Sequence, residues 1–178
     1  KIIAKANNDV ILATGGFGGN VELRQKYNTS GKWPDLGPSV LTTNRASNTG
    51  DGIIMAEEIG ANLGDMEHIQ LLQVGNPKNG TDKGQTQRSK DVRFVVFINK
   101  DGKRFIAEDG RRDDICTALL NQPDGLMFML ESADGDALPP NEAKTGDGML
   151  LTEAEKNGDI YIADTLEELA AKMGVDPS

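Results

Sequence analysis

A hairpin signal followed by a pair of arginines constrains this chain more than any other stretch. Residues 93–99 are rich in β-branched and aromatic side chains and predict a short strand. Asp101-Gly102 follows, and such a pair favours a tight turn because glycine adopts a positive φ without strain. Residues 103–107 then predict a returning strand, which leads the chain straight into Arg111-Arg112.

A helix is predicted directly after the arginine pair. Asp113 is a candidate N-cap, and the next apolar side chains recur at helical spacing. They are Ile115, Cys116, Leu119 and Leu120. We therefore expect Arg112 on a short loop between two anchored elements, where its side chain can be aimed at a ligand. The alternative is that Arg104, Arg111 and Arg112 form only surface ion pairs with neighbouring acids, each contributing about 0–1 kcal/mol.

A glycine-rich segment near the start of the chain is the second stretch that carries chemistry. Residues 9–13 form an unbroken apolar run, which predicts a strand buried on both faces of a parallel sheet. The glycines of residues 14–19 let the backbone turn sharply and approach a ligand. Asn20 can cap a helix over residues 21–27. The segment lacks the G-x-G-x-x-G spacing, so the residues alone leave a plain turn and a ligand loop equally open.

Gly50-Asp51-Gly52 opens another predicted helix, with Asp51 as its N-cap and Gly60 at its end. The N-terminus of a helix offers free N–H groups and a partial positive charge, which suit a phosphate or an electron-rich ring. The T-G-D-G letters recur at residues 145–148, so this motif is weak evidence by itself.

The rest of the chain predicts an α+β arrangement. Residues 64–73, 126–130 and 159–163 are predicted strands, and the methionines of the second fill the core. Thr152 and Thr165 each begin a capping-box helix.

Composition excludes several classes of function. The net charge of −9 argues against a general surface for nucleic acid or anionic membranes. The single cysteine, Cys116, allows no internal disulfide or cysteine metal cluster, and its spacing predicts a reduced core residue. No apolar run approaches the ~20 residues of a membrane span. The chain lacks an initial methionine and both ends look cut, so we expect a fragment of a longer protein.

Taken together, these motifs resemble FAD-dependent fumarate reductases of the flavocytochrome c type and the related urocanate reductases. G-K-R-F, a glutamate and then R-D look like the capping domain of that family, and A-T-G-G-F, T-N and G-D-G, in that order, look like its FAD domain. The resemblance implies that residues 1–62 are a strand–helix part of an α/β FAD-binding domain. Residues 63–178 would be an α+β capping domain that is truncated at its C-terminus.

The resemblance also implies the site residues. Arg112 would donate a proton to the substrate double bond with Asp113 as its partner, and Arg111 is a less favoured donor. No metal is implied. The residues implied to lie against FAD are Ala13, Thr14, Gly15, Gly16, Thr43, Asn44, Gly50, Asp51 and Gly52.

The implied activity is hydride transfer from reduced FAD to the double bond of a small unsaturated carboxylate, either fumarate-like or urocanate-like. Electrons would come from a reduced flavin or from an FMN or haem domain elsewhere in the parent protein. The family suggests the bacterial cytoplasm or cell envelope, and the fragment alone is expected to be inactive.

The chain departs from the family's pattern at its substrate residues. The carboxylate-binding histidine of fumarate reductases falls on Leu72, and their T-E-x-x-R segment falls on residues 87–91, where all three defining residues differ. His68, the single histidine, is expected to be structural or exposed. Two alternatives remain open: a flavin dehydrogenase of the 3-ketosteroid type, and a non-catalytic α+β module that binds a ligand or a protein.

Overall fold

The computed structural model describes residues 5–81, 95–132, 138–145 and 148–176. Its elements, in chain order, are α1 (Val21–Tyr27), α2 (Asp51–Glu58), β1 (Val95–Ile98), α3 (Arg112–Leu120), a 3-10 turn (Pro123–Gly125), β2 (Phe128–Glu131), α4 (Leu151–Lys156) and α5 (Leu166–Met173). None of the helices in these ranges is long and apolar enough to cross a lipid bilayer.

β1 and β2 form an antiparallel pair in which Phe97 lies opposite Met129. Both strands were predicted, and so was the turn after β1, where Gly102 has φ 74°. The predicted return strand at residues 103–107 is wrong, since this stretch makes only one isolated bridge, between Ile98 and Arg104. The reason lies at the outer edge of β1, where the Glu108 carboxylate accepts the Phe97 N–H at 2.9 Å and takes the place of a strand.

α3 lies between two apolar clusters and contributes a buried residue to each. Cys116 packs with Trp33 and Leu36, and Ile115 packs with Val95 and Phe97. The predicted apolar face is therefore confirmed, and so is the burial of the cysteine. Desolvation in the first cluster raises the pKa of the Cys116 thiol to about 11, so the thiol stays protonated at neutral pH.

α1 joins the glycine-rich segment to the first cluster. Asn20 caps it as predicted, with its side chain accepting the Leu23 N–H at 3.1 Å. The buried Arg24 donates to the Val40 carbonyl at 2.7 Å and to the Gly37 carbonyl at 3.5 Å, beside Leu36. Burial lowers the pKa of this guanidinium.

Three further predicted strands are absent from the described residues. Residues 9–13 form no strand and Ile11 is 88% exposed, because no described strand lies beside them. Residues 64–73 bend at Asp65, which has φ 57°. In residues 159–163 the Ile162 N–H donates to the Glu155 carboxylate at 3.2 Å, in place of a neighbouring strand.

Helix starts differ from the predictions at three of five positions. Asn20 and Thr165 are N-caps as expected, the latter accepting the Glu168 N–H at 3.2 Å. The other three helices do not begin with the predicted caps, which were Asp51, Asp113 and Thr152. Their N-cap residues are Gly50, Arg111 and Leu150. The two aspartates have other partners: Asp51 accepts from the Thr49 hydroxyl at 2.6 Å, and Asp113 pairs with Lys32. Arg112 is consequently the first residue of α3 and does not lie on a loop.

Candidate active site

The glycine corner, which we define as residues 14–19 and 44–52, is built from backbone contacts. The Gly50 N–H donates to the Gly16 carbonyl at 3.1 Å, and the Gly19 N–H donates to the Asn48 carbonyl at 2.8 Å. The Asn20 side chain adds a bond to the Thr49 carbonyl at 3.0 Å. The two segments are therefore joined main chain to main chain.

Two glycines in the corner have no space for a side chain. A Cβ on Gly52 would lie 2.0 Å from the Thr14 hydroxyl oxygen. A Cβ on Gly50 would lie 2.6 Å from a methyl of Leu23, and Gly50 also has φ 83°. The N-terminus of α2 consequently packs directly on Thr14, and it has no side-chain cap.

The outer side of the corner is open. A Cβ on Gly16 would meet nothing within 4 Å, and Ala13 and Thr14 are exposed with it. Asn44 joins the corner through Asn48, whose amide donates to the Asn44 side-chain oxygen at 3.3 Å. This arrangement brings together seven of the nine residues predicted to contact FAD: Thr14, Gly15, Gly16, Asn44, Gly50, Asp51 and Gly52. The other two, Ala13 and Thr43, directly precede the two segments of the corner, and the Thr43 methyl lies 3.8 Å from the Gly75 Cβ position.

The residues present fit a dinucleotide-type ligand at the corner. The glycines leave backbone exposed on one side, and the uncapped start of α2 presents N–H groups of the kind that bind phosphate or an electron-rich ring.

A second site, the arginine cleft, lies at the start of α3. It has a volume of about 510 Å³, which is within the usual range for small-molecule pockets. Its lining residues come from three separate parts of the chain: Lys32, His68, Ile69, Gln70, Arg111, Arg112 and Asp113. Three side chains in this set are cationic and only one is anionic.

The single carboxylate of the cleft pairs with the lysine. Asp113 Oδ2 lies 2.5 Å from Lys32 Nζ, and Lys32 Nζ lies 4.8 Å from the centre of the Trp33 ring. The hydrogen bond from Lys32 lowers the pKa of the Asp113 carboxyl, with smaller contributions from the charges of Lys32, Arg111 and Arg112. The Asp113 carboxylate therefore stays ionised at neutral pH, with Lys32 as its ion-pair partner.

The three arginines of the central stretch divide into two kinds. Arg104 binds Glu108 with Nε 3.0 Å from Oε1, so the ion-pair interpretation is correct for this residue. Arg111 and Arg112 are exposed and make no side-chain hydrogen bond or ion pair within the described parts of the chain. Two guanidinium groups are therefore available to an anionic ligand in the cleft.

His68 and Lys32 are cleft residues that sequence reasoning did not assign. His68 is exposed, as predicted, yet it lies on the wall of the cleft that holds Arg112. Lys32 precedes Asp113 by 81 positions, and no spacing in the sequence links the two residues. Leu72, which matches the family's histidine, is exposed and outside the cleft, and residues 87–91 lie outside the described residues.

Comparison with known proteins gives the family. A model described as FAD binding domain matches residues 2–151. The NADH:acrylate oxidoreductase of Vibrio harveyi is 39% identical over 98% of this chain, and the urocanate reductase of Eggerthella lenta is 36% identical over 94% of it. The chain spans only 16% and 26% of these two relatives.

A solved structure has a similar fold. The open conformation of a flavocytochrome c3 fumarate reductase matches 91% of this chain and 26% of its own, with a TM-score of 0.59 and 27% identity. The predicted FAD cofactor and the predicted likeness to fumarate and urocanate reductases are thus confirmed at the level of the family. The chain belongs to the FAD binding domain family, alongside FAD-dependent oxidoreductases.

Proposed function

We propose that this chain is part of an FAD-dependent reductase that saturates the double bond of a small unsaturated carboxylate. The observation that carries the proposal is a pair of exposed guanidinium groups, Arg111 and Arg112, that have no partner among the described residues and lie in a cleft sized for a small molecule. The names of the relatives, an acrylate oxidoreductase and a urocanate reductase, agree with it. A 3-ketosteroid is a poorer match, because a steroid favours a larger and more apolar pocket.

The glycine corner is the proposed FAD site. The glycine-rich segment would lie along one side of the cofactor, through Ala13, Thr14, Gly15 and Gly16. The start of α2 would face the cofactor with its first N–H groups, at Gly50, Asp51 and Gly52. Thr43 and Asn44 would complete the site. When it is bound and reduced, FAD supplies the hydride equivalent of the reaction, and it would receive electrons from another flavin or from an FMN or haem domain elsewhere in the parent protein.

Arg112 would bind the substrate carboxylate and deliver a proton. A guanidinium can hold a carboxylate through two parallel hydrogen bonds and so fix the alkene beside it. Reduction adds a hydride to one alkene carbon and a proton to the other, so each turnover removes one proton from the cleft. Arginine releases a proton with difficulty because its pKa is above ~12. The Lys32 ammonium, held by Asp113, would be the source that replaces the proton, and Asp113 is thus a positioning residue.

The proposed organisation divides the chain at residues 62 and 63. The first part would belong to the FAD-binding domain and the second to the capping domain. Residues 31–40 would nevertheless contact both, since Trp33 and Leu36 pack against Cys116 of α3.

Flavin reoxidation tests the proposal in the full-length parent protein. The bound flavin is reduced anaerobically, and its absorbance is followed after addition of acrylate, fumarate or urocanate. We expect fast reoxidation by at least one acid, and a fall of about 10²–10⁴-fold in rate for Arg112→Ala. Lys103→Ala, which removes an exposed cation outside the cleft, is the matched control and should react like the parent.

Three results would change the proposal. If no acid reoxidises the flavin, the unsaturated-acid reductase is wrong. If Arg112→Ala reacts normally while Arg111→Ala does not, the donor is Arg111. If both variants react normally, the activity stands and the role of the arginine pair is wrong.

A further inference from the structure

We infer that His68 determines substrate specificity, by binding a neutral or cationic hydrogen-bonding group on the β-carbon of the unsaturated acid. The inference rests on the proposed function and adds to it the chemistry of the second end of the substrate. It starts from the wall of the arginine cleft that His68, Ile69 and Gln70 form.

This wall is held in place from behind. The indole N–H of Trp33 donates to the Ile69 carbonyl at 2.8 Å, and Trp33 is itself buried in the first apolar cluster. A turn precedes the wall, with the His68 N–H donating to the Asp65 carbonyl at 3.1 Å. The backbone of the wall is therefore anchored to the core that supports α3, while the His68 side chain stays exposed.

The surroundings of the two walls of the cleft differ in charge. Lys32, Arg111 and Arg112 supply positive charge at the start of α3, with Asp113 already paired to Lys32. Two acidic side chains that do not line the cleft lie beside His68: ligand atoms of Asp65, Glu67 and His68 are all within 4.8 Å of one another.

This distribution of charge favours a substrate with only one carboxylate. The arginine wall suits the carboxylate, and the histidine wall disfavours a second one, because the carboxylates of Asp65 and Glu67 beside His68 would repel an anion bound to that residue. An imidazole ring can donate or accept a hydrogen bond, and the Gln70 amide can do both at once. The favoured β-substituent is consequently a nitrogen-containing ring or a similar hydrogen-bonding group, ahead of either a carboxylate or an apolar ring.

The test compares urocanate with fumarate and cinnamate in the reoxidation experiment on the full-length parent protein. Urocanate carries a nitrogen heterocycle, fumarate a second carboxylate and cinnamate an apolar ring of similar size. We expect kcat/KM to be highest for urocanate. His68→Leu should lower the urocanate-to-cinnamate ratio of kcat/KM about tenfold, mainly through KM, because one hydrogen bond to the substrate is lost. His68→Gln should restore part of the ratio.

The outcomes separate this inference from the proposed function. If the parent protein reduces fumarate or cinnamate at least as well as urocanate, the specificity role of His68 is wrong, and the proposed reductase activity stands. An unchanged ratio in His68→Leu, with flavin content and thermal midpoint as in the parent, does the same. A parent that no acid reoxidises overturns both. Lys103→Leu, outside the cleft, should leave the ratio unchanged.

Discussion

The glycine corner and the arginine cleft are held together in opposite ways. In the corner, main-chain bonds such as Gly50 N–H to Gly16 O join the two segments, and side chains are excluded from the contact. In the cleft, charged side chains line an open space, and the buried residues Trp33 and Cys116 pack beneath them.

This difference separates shape from charge: a substitution in the corner changes packing, whereas a substitution in the cleft changes charge. Substitution of a corner glycine adds atoms where there is no space, so it should damage the fold and the ligand site together. Substitution of a cleft residue changes charge on an exposed surface, so it should alter chemistry and leave the fold nearly intact. Substitutions in the two regions test this separation, and the expected loss of stability falls from Gly52 to Glu108 to Asp113.

Gly52→Ala should be the most damaging change. Its Cβ would lie 2.0 Å from the Thr14 hydroxyl oxygen and 2.8 Å from Thr14 Cβ, so α2 must move away from the corner. Overpacking of this kind costs about 1–3 kcal/mol. We expect a lower midpoint of urea unfolding and loss of most FAD from the purified full-length protein.

Gly16→Ala is the matched control for that experiment. Its Cβ meets no atom of the chain within 4 Å, so stability should be unchanged. If Gly16 does lie against FAD, this variant loses FAD affinity without loss of stability. Full FAD occupancy in both variants would exclude the glycine corner as the cofactor site.

Glu108→Gln should have the next largest effect on stability. The buried carboxylate accepts the Phe97 N–H and binds Arg104, and the amide keeps the first bond but loses the charge. Hydrogen bonds to charged groups contribute about 1.5–3 kcal/mol, so we expect a loss of about 1–2 kcal/mol at neutral pH. Asp109→Asn, an exposed neighbour, is the control and should change stability little.

The pH dependence of the Glu108 contribution has a defined sign. Burial raises the pKa of the Glu108 carboxyl, but the bonds from Arg104 and Phe97 outweigh it, and the net pKa is lowered. The contribution is therefore complete above the unfolded-state pKa and is lost as the pH falls through the folded-state pKa. The stability difference between the two proteins should shrink in acid, and a constant difference would mean that the charge is unimportant.

The sequence predictions were accurate for features that depend on neighbouring residues and failed for contacts between distant ones. The helix over residues 21–27 with its Asn20 cap and the apolar face of α3 depend on neighbours within a few positions, and local patterns identify such features. The return strand failed because one side chain, Glu108, occupies the edge of β1, and periodicity carries no information about that contact.

The two sites differ in the same way. The residues of the glycine corner were named from the order of motifs along the chain, and the structure brings them together. The arginine cleft was named only in part, as Arg112, Asp113 and the less favoured Arg111, because its other walls come from Lys32 and His68. These contacts depend on how Trp33 packs against residues distant in sequence, and no local pattern encodes that packing.

Asp113→Asn should have the smallest effect on stability and is the sharpest test of the contrast. The Asp113–Lys32 pair is partly exposed, so its contribution is weak and screened by salt. Lys32 lowers the pKa of Asp113, so this contribution is present above the ordinary aspartate pKa and is lost as the pH falls through the lowered one. The unfolding midpoint should hardly move, whereas kcat for the acid substrate should fall by roughly 10–100-fold with KM little changed, because Asp113 no longer holds Lys32 at the cleft. Lys32→Gln should give the same kinetic split, and the double variant should be no worse than either single one if the pair acts as a unit. A loss of stability as large as that of Glu108→Gln would instead show that Asp113 helps to hold the fold together. The separation of shape from charge would then fail at the residue next to Arg112.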